Sequence, residues 1–346
     1  MSLTRRNFIA AGAAAGASTV FGVPTIVMAA GPKEKLTCAV GSEHALVYLA
    51  WDVAKALGYF DAEGLDVNLI YTKGGTEAGL ALMSGQVDYS GNAIDHAIAA
   101  AQQGKTLVMI SDFMNQPGLT MLTRPENKAK FPNGAALKGK TIGITSVGSA
   151  TDVIAHWLAH RNGFSKEDIK TVGVGGGATV MAALQSGQVD VALANDPYAT
   201  LLIKQNRAVA VAEFTRAKVT REWLGFSQYT FTGALTRGDV IAKYPERTQK
   251  IVNALTRAMK TMETYSAQKL ANALPDEYRG GASVDDWAAS FSHSRPAYGP
   301  LGRIAIDGVR AVVETNEFFL GKKFTADPNK LFDNSFVEKA IKALKG

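Results

Sequence analysis

One segment of this chain occurs twice. Ala81-Leu82-Met83-Ser84-Gly85-Gln86-Val87-Asp88 returns as Ala183-Leu184-Gln185-Ser186-Gly187-Gln188-Val189-Asp190, identical at seven of eight positions and 102 residues further on. Each copy follows a glycine pair, Gly74-Gly75 and Gly176-Gly177. A period that long is no solenoid unit. It marks two related lobes, and paired lobes commonly face a ligand cleft. At 346 residues the chain is long enough to give each lobe a core of its own.

The segments around the repeat support this reading. In lobe one, strands are expected over 36–40, 65–71, 87–90 and 106–111, with helices over 45–57, 76–84 and 94–103 between them. In lobe two, strands over 140–144, 169–174, 189–192 and 208–213 alternate with helices over 149–160 and 178–186 and one opened by Pro197. Short strands alternating with helices predict parallel βαβ units. Two further segments end alike, Gly118-Leu119-Thr120-Met121-Leu122-Thr123-Arg124 and Phe231-Thr232-Gly233-Ala234-Leu235-Thr236-Arg237. They read as a crossing out and a crossing back, a two-strand hinge suited to closing over a ligand. Lobe one is therefore assigned 31–118 with 234–346, and lobe two 119–233. From Pro245 on the chain reads as mostly helical, over 245–267, 304–318 and 335–344, and is expected to pack back on lobe one.

Residues 1–30 read as a twin-arginine signal peptide. Thr4-Arg5-Arg6-Asn7-Phe8-Ile9 precedes an Ala/Gly-rich apolar stretch, and cleavage is expected near Ala29 or Ala30. Gly12, Gly16, Gly22 and Pro24 make that stretch a poor spanning helix. The mature protein is accordingly expected in the periplasm. These 30 residues hold two of the 37 Lys and Arg and none of the 31 Asp and Glu, so the remainder is only mildly basic. Without a Lys/Arg run, nucleic acid is excluded as a partner. Cys38 is the single cysteine, so an intramolecular disulfide and a thiolate metal cluster are excluded. It lies in an apolar strand pattern and is expected to be buried and inert.

Several motifs resemble catalytic ones and fail on context. Gly134-Ala135-Ala136-Leu137-Lys138-Gly139-Lys140-Thr141 matches a phosphate-binding loop letter for letter, but a strand follows it where a helix must open. Gly173-Val174-Gly175-Gly176-Gly177-Ala178 resembles a dinucleotide fingerprint, but glycine turns of this kind are common in βα units. His156 and His160 have metal-ligand spacing, yet Trp157 stands where a metalloprotease carries glutamate, and they read as surface histidines. No metal, cofactor or catalytic residue is assigned.

What remains is a set of turns at the C-terminal ends of strands, where open α/β sheets bind ligands. The candidate ligand-binding residues are His44, Tyr48, Gly75, Asn92, Ala93 and Asp95 in lobe one, and Ser146, Gly148, Ser149, Thr151, Asn195, Asp196 and Tyr198 in lobe two. The turn through Ser149 and Thr151 is the anion candidate, with hydroxyls, free N–H groups and the positive end of a helix dipole. A plain N-cap with Asp152 at the capping-box position is its alternative. Asp95 and Asp196 repel a bare anion and suit an amine or ring N–H. Tyr48 and Tyr198 suit apolar walls with a polar tip. Each of these residues has a packing or capping role as its alternative.

Taken in order, several motifs carry a resemblance. They are Gly58-Tyr59-Phe60 with Gly64-Leu65-Asp66-Val67, Gly74-Gly75, Ser84-Gly85-Gln86-Val87-Asp88, Leu137-Lys138-Gly139-Lys140-Thr141-Ile142-Gly143, and Gly148-Ser149 with Thr151. Together they resemble the solute-binding proteins of nitrate/sulfonate/taurine-type ABC transporters, a family that includes binders of the thiamine pyrimidine precursor. The resemblance implies an α/β, two-lobed periplasmic binding protein fold of type II, with two hinge crossings and no catalysis. It implies a monomer that delivers a small ligand to a membrane permease with a separate ATPase. An organic anion, sulfonate- or taurine-like, is the first reading. An aminopyrimidine or other heterocycle is the alternative, and a ligand-sensing or enzymatic protein on the same fold is the competing class. Fungal pyrimidine-synthesis enzymes of this fold carry a cysteine-rich motif, which a chain with only Cys38 lacks.

Overall fold

The structure, a computed structural model, describes residues 32–177 and 179–345. The expected signal peptide lies outside them. Among the described residues no helix is long and apolar enough to cross a membrane.

The chain opens with β1 (Glu34–Val40), α1 (Leu49–Ala56), α2 (Tyr59–Ala62), β2 (Leu65–Tyr71), α3 (Gly75–Ser84), β3 (Tyr89–Ala93), α4 (Asp95–Ala101) and β4 (Leu107–Asp112). It continues through β5 (Leu119–Thr123), β6 (Thr141–Ile144), α5 (Ala150–Arg161), β7 (Lys170–Gly173), α6 (Thr179–Gln185), β8 (Val191–Asn195), α7 (Tyr198–Lys204), β9 (Val209–Glu213) and α8 (Ala217–Leu224). It ends with β10 (Thr232–Arg237), α9 (Gly238–Lys243), α10 (Pro245–Thr264), α11 (Ala267–Ala273), α12 (Val284–Ser294), α13 (Ile306–Leu320) and α14 (Ser335–Lys345).

Two five-stranded sheets result, ordered β2-β1-β3-β10-β4 and β7-β6-β8-β5-β9. The two orders are the same pattern, as the repeat requires. The expected parallel βαβ units are present, with β1 parallel to β2 and β3 and β6 parallel to β7 and β8, and each sheet is made mixed by one further strand. β10 runs antiparallel to both β3 and β4, and β5 antiparallel to both β8 and β9. The chain path explains this. The parallel strands run toward the ends where the chain leaves for the other sheet, so a strand arriving there must run the opposite way. The segments read as hinge crossings are thus inner strands of the sheets they enter.

The two repeated motifs turn out to be halves of one device. In the first sheet Arg237 Nη1 donates to the carbonyls of Leu82 and Val87 at 3.1 and 2.7 Å, and Thr236 Oγ1 donates to that of Asp88 at 2.7 Å. In the second, Arg124 Nη1 donates to Leu184 and Val189 at 2.5 and 3.4 Å, and Thr123 Oγ1 to Asp190 at 2.8 Å. The arriving Thr-Arg pair therefore takes one carbonyl of the helix's last turn and two carbonyls of the segment that leads from it to the next strand. Gly85 and Gly187 turn those ends at φ 80° and 75°, a left-handed conformation that strongly favours glycine.

The C-terminal helices depart from expectation. They include α11 and α12, which hydrophobic periodicity did not indicate. They also do not pack on the first sheet's helices alone, because α12 contacts α7 and α13 contacts α5. Of the two expected surface histidines, His160 is exposed, whereas His156 is half-buried against Asp152. His160 stacks on Phe318 of α13 with centroids 4.3 Å apart, and His156 meets Phe319 edge-on. Cys38 is fully buried, and burial pushes its thiol far above the ordinary range. Thr141 opens β6, which places the phosphate-loop lookalike ahead of a strand.

Candidate functional site

The C-terminal ends of both sheets converge on a cavity of about 30 Å³. From the first sheet's side it is lined by Gly41, Ser42, Val47, Tyr48, Gly74, Gly75, Asn92, Ala93, His96 and Phe231. From the second it is lined by Leu119, Thr145, Ser149, Ala150, Thr151 and Asn195. Leu119 and Phe231 stand where the chain enters β5 and β10, so both arriving strands form part of the wall.

The lobes touch directly around this space. Leu46 N–H donates to the Asp196 carbonyl at 2.8 Å, the hydroxyls of Thr76 and Ser146 meet at 3.1 Å, and Thr76 donates to the Val147 carbonyl at 3.2 Å. Lys166 reaches the Phe319 carbonyl, and Lys204 pairs with Asp286. The arrangement is a closed clamp, with room for a water molecule or two. A larger molecule does not fit while these contacts hold.

Three hydroxyls form a ring on the second sheet's side. Thr145 Oγ1 donates to Ser149 Oγ at 2.9 Å, and Thr151 Oγ1 lies 2.8 Å from Ser149 Oγ and 2.9 Å from Thr145 Oγ1. Thr145 N–H also donates to Thr151 Oγ1 at 2.9 Å. Ser149 occupies the N-cap position of α5, but its hydroxyl makes no capping bond. Asp152, expected in a capping box, accepts instead from Gly148 N–H at 2.9 Å. The backbone N–H groups of Asp152 and Val153 return to the Ser149 carbonyl. Ala150 and Thr151 are left to supply the donors of the helix's first turn. Hydroxyl protons and a helix N-terminus together suit an anion.

The first sheet's side is neutral and partly unsatisfied. His96 is buried, and burial holds its imidazole down to about 4, so it is uncharged near neutrality. Its Nε2 is buried without a hydrogen-bond partner, as is the Oδ1 of Asn195 on the second sheet's side. Asn92 is committed, its Nδ2 donating to the Gly75 carbonyl at 2.9 Å and its Oδ1 accepting from Ala93 N–H at 2.8 Å. Glycine at 75 is a steric requirement, since a Cβ there would sit 2.7 Å from Asn92 Oδ1 and 3.0 Å from His96 Nε2.

Of the expected site residues, Tyr48, Gly75, Asn92, Ala93, Ser149, Thr151 and Asn195 line the cavity. The other six do not. His44 lies in a separate groove with Lys55, Tyr71 and Tyr278. Tyr198 lies in another, beside Gly177. Ser146 bonds Thr76 across the gap, and Gly148 serves Asp152. Asp95 turns to Asn316, whose Nδ2 donates to it at 2.8 Å, and burial pushes its carboxyl up to about 6. Asp196 turns to α12, where His293 Nδ1 and Ser294 Oγ each lie 2.7 Å from its Oδ2. Its carboxylate joins the lobes and does not face the cavity. His96, Thr145, Leu119, Val47 and Phe231 were not anticipated. His96 sits inside a helix whose sequence marks nothing special, and Thr145 is the last step before a turn that was read from Ser146 onward.

A family model described as NMT1/THI5 like matches residues 42–265. The chain belongs to the NMT1/THI5-like family. Among its relatives is YtlA of Bacillus subtilis (strain 168), named as a binding protein, 24% identical over 68% of this chain and 68% of that protein. The 4-amino-5-hydroxymethyl-2-methylpyrimidine phosphate synthase of Aspergillus parasiticus is 26% identical over 62% of this chain, and the match spans 61% of the synthase. A solved protein from Bordetella bronchiseptica RB50 superposes with a TM-score of 0.83 at 26% identity, covering 91% of this chain and 99% of that one. The alkanesulfonate-binding protein SsuA from Xanthomonas axonopodis pv. citri, bound to MOPS, superposes with a TM-score of 0.66 at 18% identity, covering 88% and 97%. The fold is the two-domain α/β fold of periplasmic binding proteins. Among the described residues no cluster of His, Cys, Asp and Glu is placed to hold a metal ion.

Proposed function

We propose that this protein is the extracytoplasmic substrate-binding component of an ABC importer and captures a small organic anion, sulfonate- or taurine-like, between its lobes. The observation that carries the reading is the ring of Thr145, Ser149 and Thr151 at the first turn of α5. Ligand oxygens would break the ring and take hydroxyl and backbone N–H donors, which hold an anion without a cation. The alkanesulfonate-binding neighbour supports the same choice. Contacts from both lobes exist only when the clamp is shut, so ligand favours closure. The loaded monomer would then dock on a permease served by a separate ATPase, after export through the twin-arginine pathway.

A heterocycle such as an aminopyrimidine is the second reading. It is favoured by the absence of Lys and Arg from the lining, by unpartnered His96 Nε2 and Asn195 Oδ1, and by the aromatic walls Tyr48 and Phe231. The pyrimidine phosphate synthase among the relatives points the same way. We read no catalysis in either case. His96 is the one lining side chain whose ordinary titration falls near neutrality, and burial removes it from that range.

Thermal unfolding with a panel of alkanesulfonates, taurine, nitrate and aminopyrimidines separates the readings. A ligand at a hundred times its Kd adds about 2.7 kcal/mol to stability. A rise in melting temperature with sulfonates and none with pyrimidines is expected. The reverse pattern selects the second reading, and no rise with any compound defeats both.

A further inference from the structure

Asp196 is gripped from the opposite lobe on two sides. Its backbone carbonyl accepts from Leu46 N–H at 2.8 Å. Its side chain is 1% exposed, with Oδ1 accepting from Thr200 N–H at 2.9 Å and Oδ2 meeting His293 Nδ1 and Ser294 Oγ at 2.7 Å each. His293 has a second acidic neighbour, with its Nε2 3.5 Å from Glu213 Oε1. Asp196 and Glu213 stand at the C-terminal ends of β8 and β9 in the second sheet. α12 is tied to the first sheet's helices. Arg295, one residue past α12, donates to the carbonyls of Met262 and Tyr265 at the end of α10, and Tyr298 donates to the Leu46 carbonyl at 2.5 Å. The imidazole therefore sits in the joint, on one body, against two carboxylates of the other.

We infer that His293 is a proton-dependent latch between the lobes: protonated, it bridges Asp196 and Glu213 and holds the clamp shut, and neutral, it keeps only Asp196.

The imidazolium donates from both ring nitrogens, whereas the neutral ring donates from one and presents a lone pair with the other. With Nδ1–H committed to Asp196, that lone pair would face the Glu213 carboxylate. The charges facing the ring are Asp196 from the end of β8, Glu213 from β9 and Arg216 from the segment after β9. Asp286 on the ring's own helix is paired with Lys204. The hydrogen bond to Asp196 and the two carboxylates favour the proton, burial and Arg216 oppose it, and the balance lies above the ordinary histidine value. Once the lobes part, the ring loses both carboxylates. The closed form thus binds the proton more tightly than the open form. Closure is favoured at low pH and weakens as pH rises through the closed-form pKa of His293.

The test needs no ligand. Spin labels on Leu80→Cys and Val147→Cys, two exposed positions on opposite lobes, report the gap in the full chain, and buried Cys38 does not compete for label. Between pH 8.5 and 5.5 the ratio of short to long distances is expected to rise about threefold or more. His293→Gln, which keeps a hydrogen-bonding side chain that does not titrate, should flatten that dependence. Glu213→Gln, at a partly exposed position, should reduce it if His293→Gln fails to fold. A distance distribution that ignores pH in the unsubstituted pair, or an undiminished slope in both variants, overturns the latch.

Discussion

Replacing Thr151 by valine keeps a branched side chain of similar size and removes one hydroxyl from the ring at α5. The oxygen lost accepts from Thr145 N–H and lies within hydrogen-bond distance of Thr145 Oγ1 and Ser149 Oγ, in a side chain that is buried. Two effects follow and separate cleanly. The orphaned Thr145 N–H costs about 1–3 kcal/mol of stability, because a buried donor is left without a partner. The ligand loses one charge-assisted hydrogen bond, about 1.5–3 kcal/mol, or roughly a ten- to hundredfold loss of affinity. Thr151→Ser restores the oxygen and should recover most of both losses. Titration calorimetry with the sulfonate that most raises the melting temperature reads affinity, and urea unfolding without ligand reads stability. If Thr151→Val loses stability but keeps affinity within about twofold, the ring only supports the turn and the anion reading falls.

Three further outcomes follow from other parts of the fold. Arg237→Met should destabilise by about 2–4 kcal/mol and Arg124→Met by less, because Arg237 Nη2 also bonds the Asp88 carboxylate at 3.0 Å while Asp190 is taken by Thr141 N–H; urea midpoints at equal slope compare them. Burial pushes Asp52 up to about 7, despite the 2.5 Å hydrogen bond from Tyr71. The Asp52 contribution to stability should therefore fall as pH rises from about 4 to 7 by on the order of 1.4 kcal/mol per unit, read as the difference between wild type and Asp52→Asn in a urea series. His96 acts in the opposite direction. Its imidazole is held down to about 4, so its contribution to stability should fall as pH drops from about 6.5 toward 4, by about 3 kcal/mol in total, read as the difference between wild type and His96→Gln.

The sequence carried the two-lobe architecture because the repeat is local and the chain writes it twice. Strand direction was not legible. Whether 119–124 runs parallel or antiparallel depends on which end of the sheet the chain enters, and hydrophobic pattern is blind to that. The Thr-Arg endings and the Ser-Gly-Gln-Val-Asp turns were both visible, but their pairing crosses the order of the chain. The helices α11 and α12 left a readable mark, since Ser266 and Ser283 accept from the N–H groups of Lys269 and Asp286 as N-caps. The turns at the strand ends were readable as backbone, and the directions of their side chains were not. Asp196 points away because His293 and Ser294, nearly a hundred residues later, supply donors. Ser149 bonds across to Thr145 and Thr151 instead of capping its own helix. Such choices depend on partners that only the assembled fold brings within reach.

The central claim is that a small molecule is held between the two sheets, against Gly75, Asn92, Thr151 and Asn195. Native mass spectrometry of the protein as purified and after addition of the ligand panel tests it most directly, with Gly75→Val as the comparison. The added side chain starts from a Cβ position 2.7 Å from Asn92 Oδ1 and 3.0 Å from His96 Nε2, so it displaces two of the side chains that line the cavity. A single small-molecule adduct per chain, lost under denaturing conditions and abolished in Gly75→Val, is the predicted result. The absence of any adduct across the panel, or an adduct that Gly75→Val retains undiminished, would place the ligand elsewhere and contradict the account.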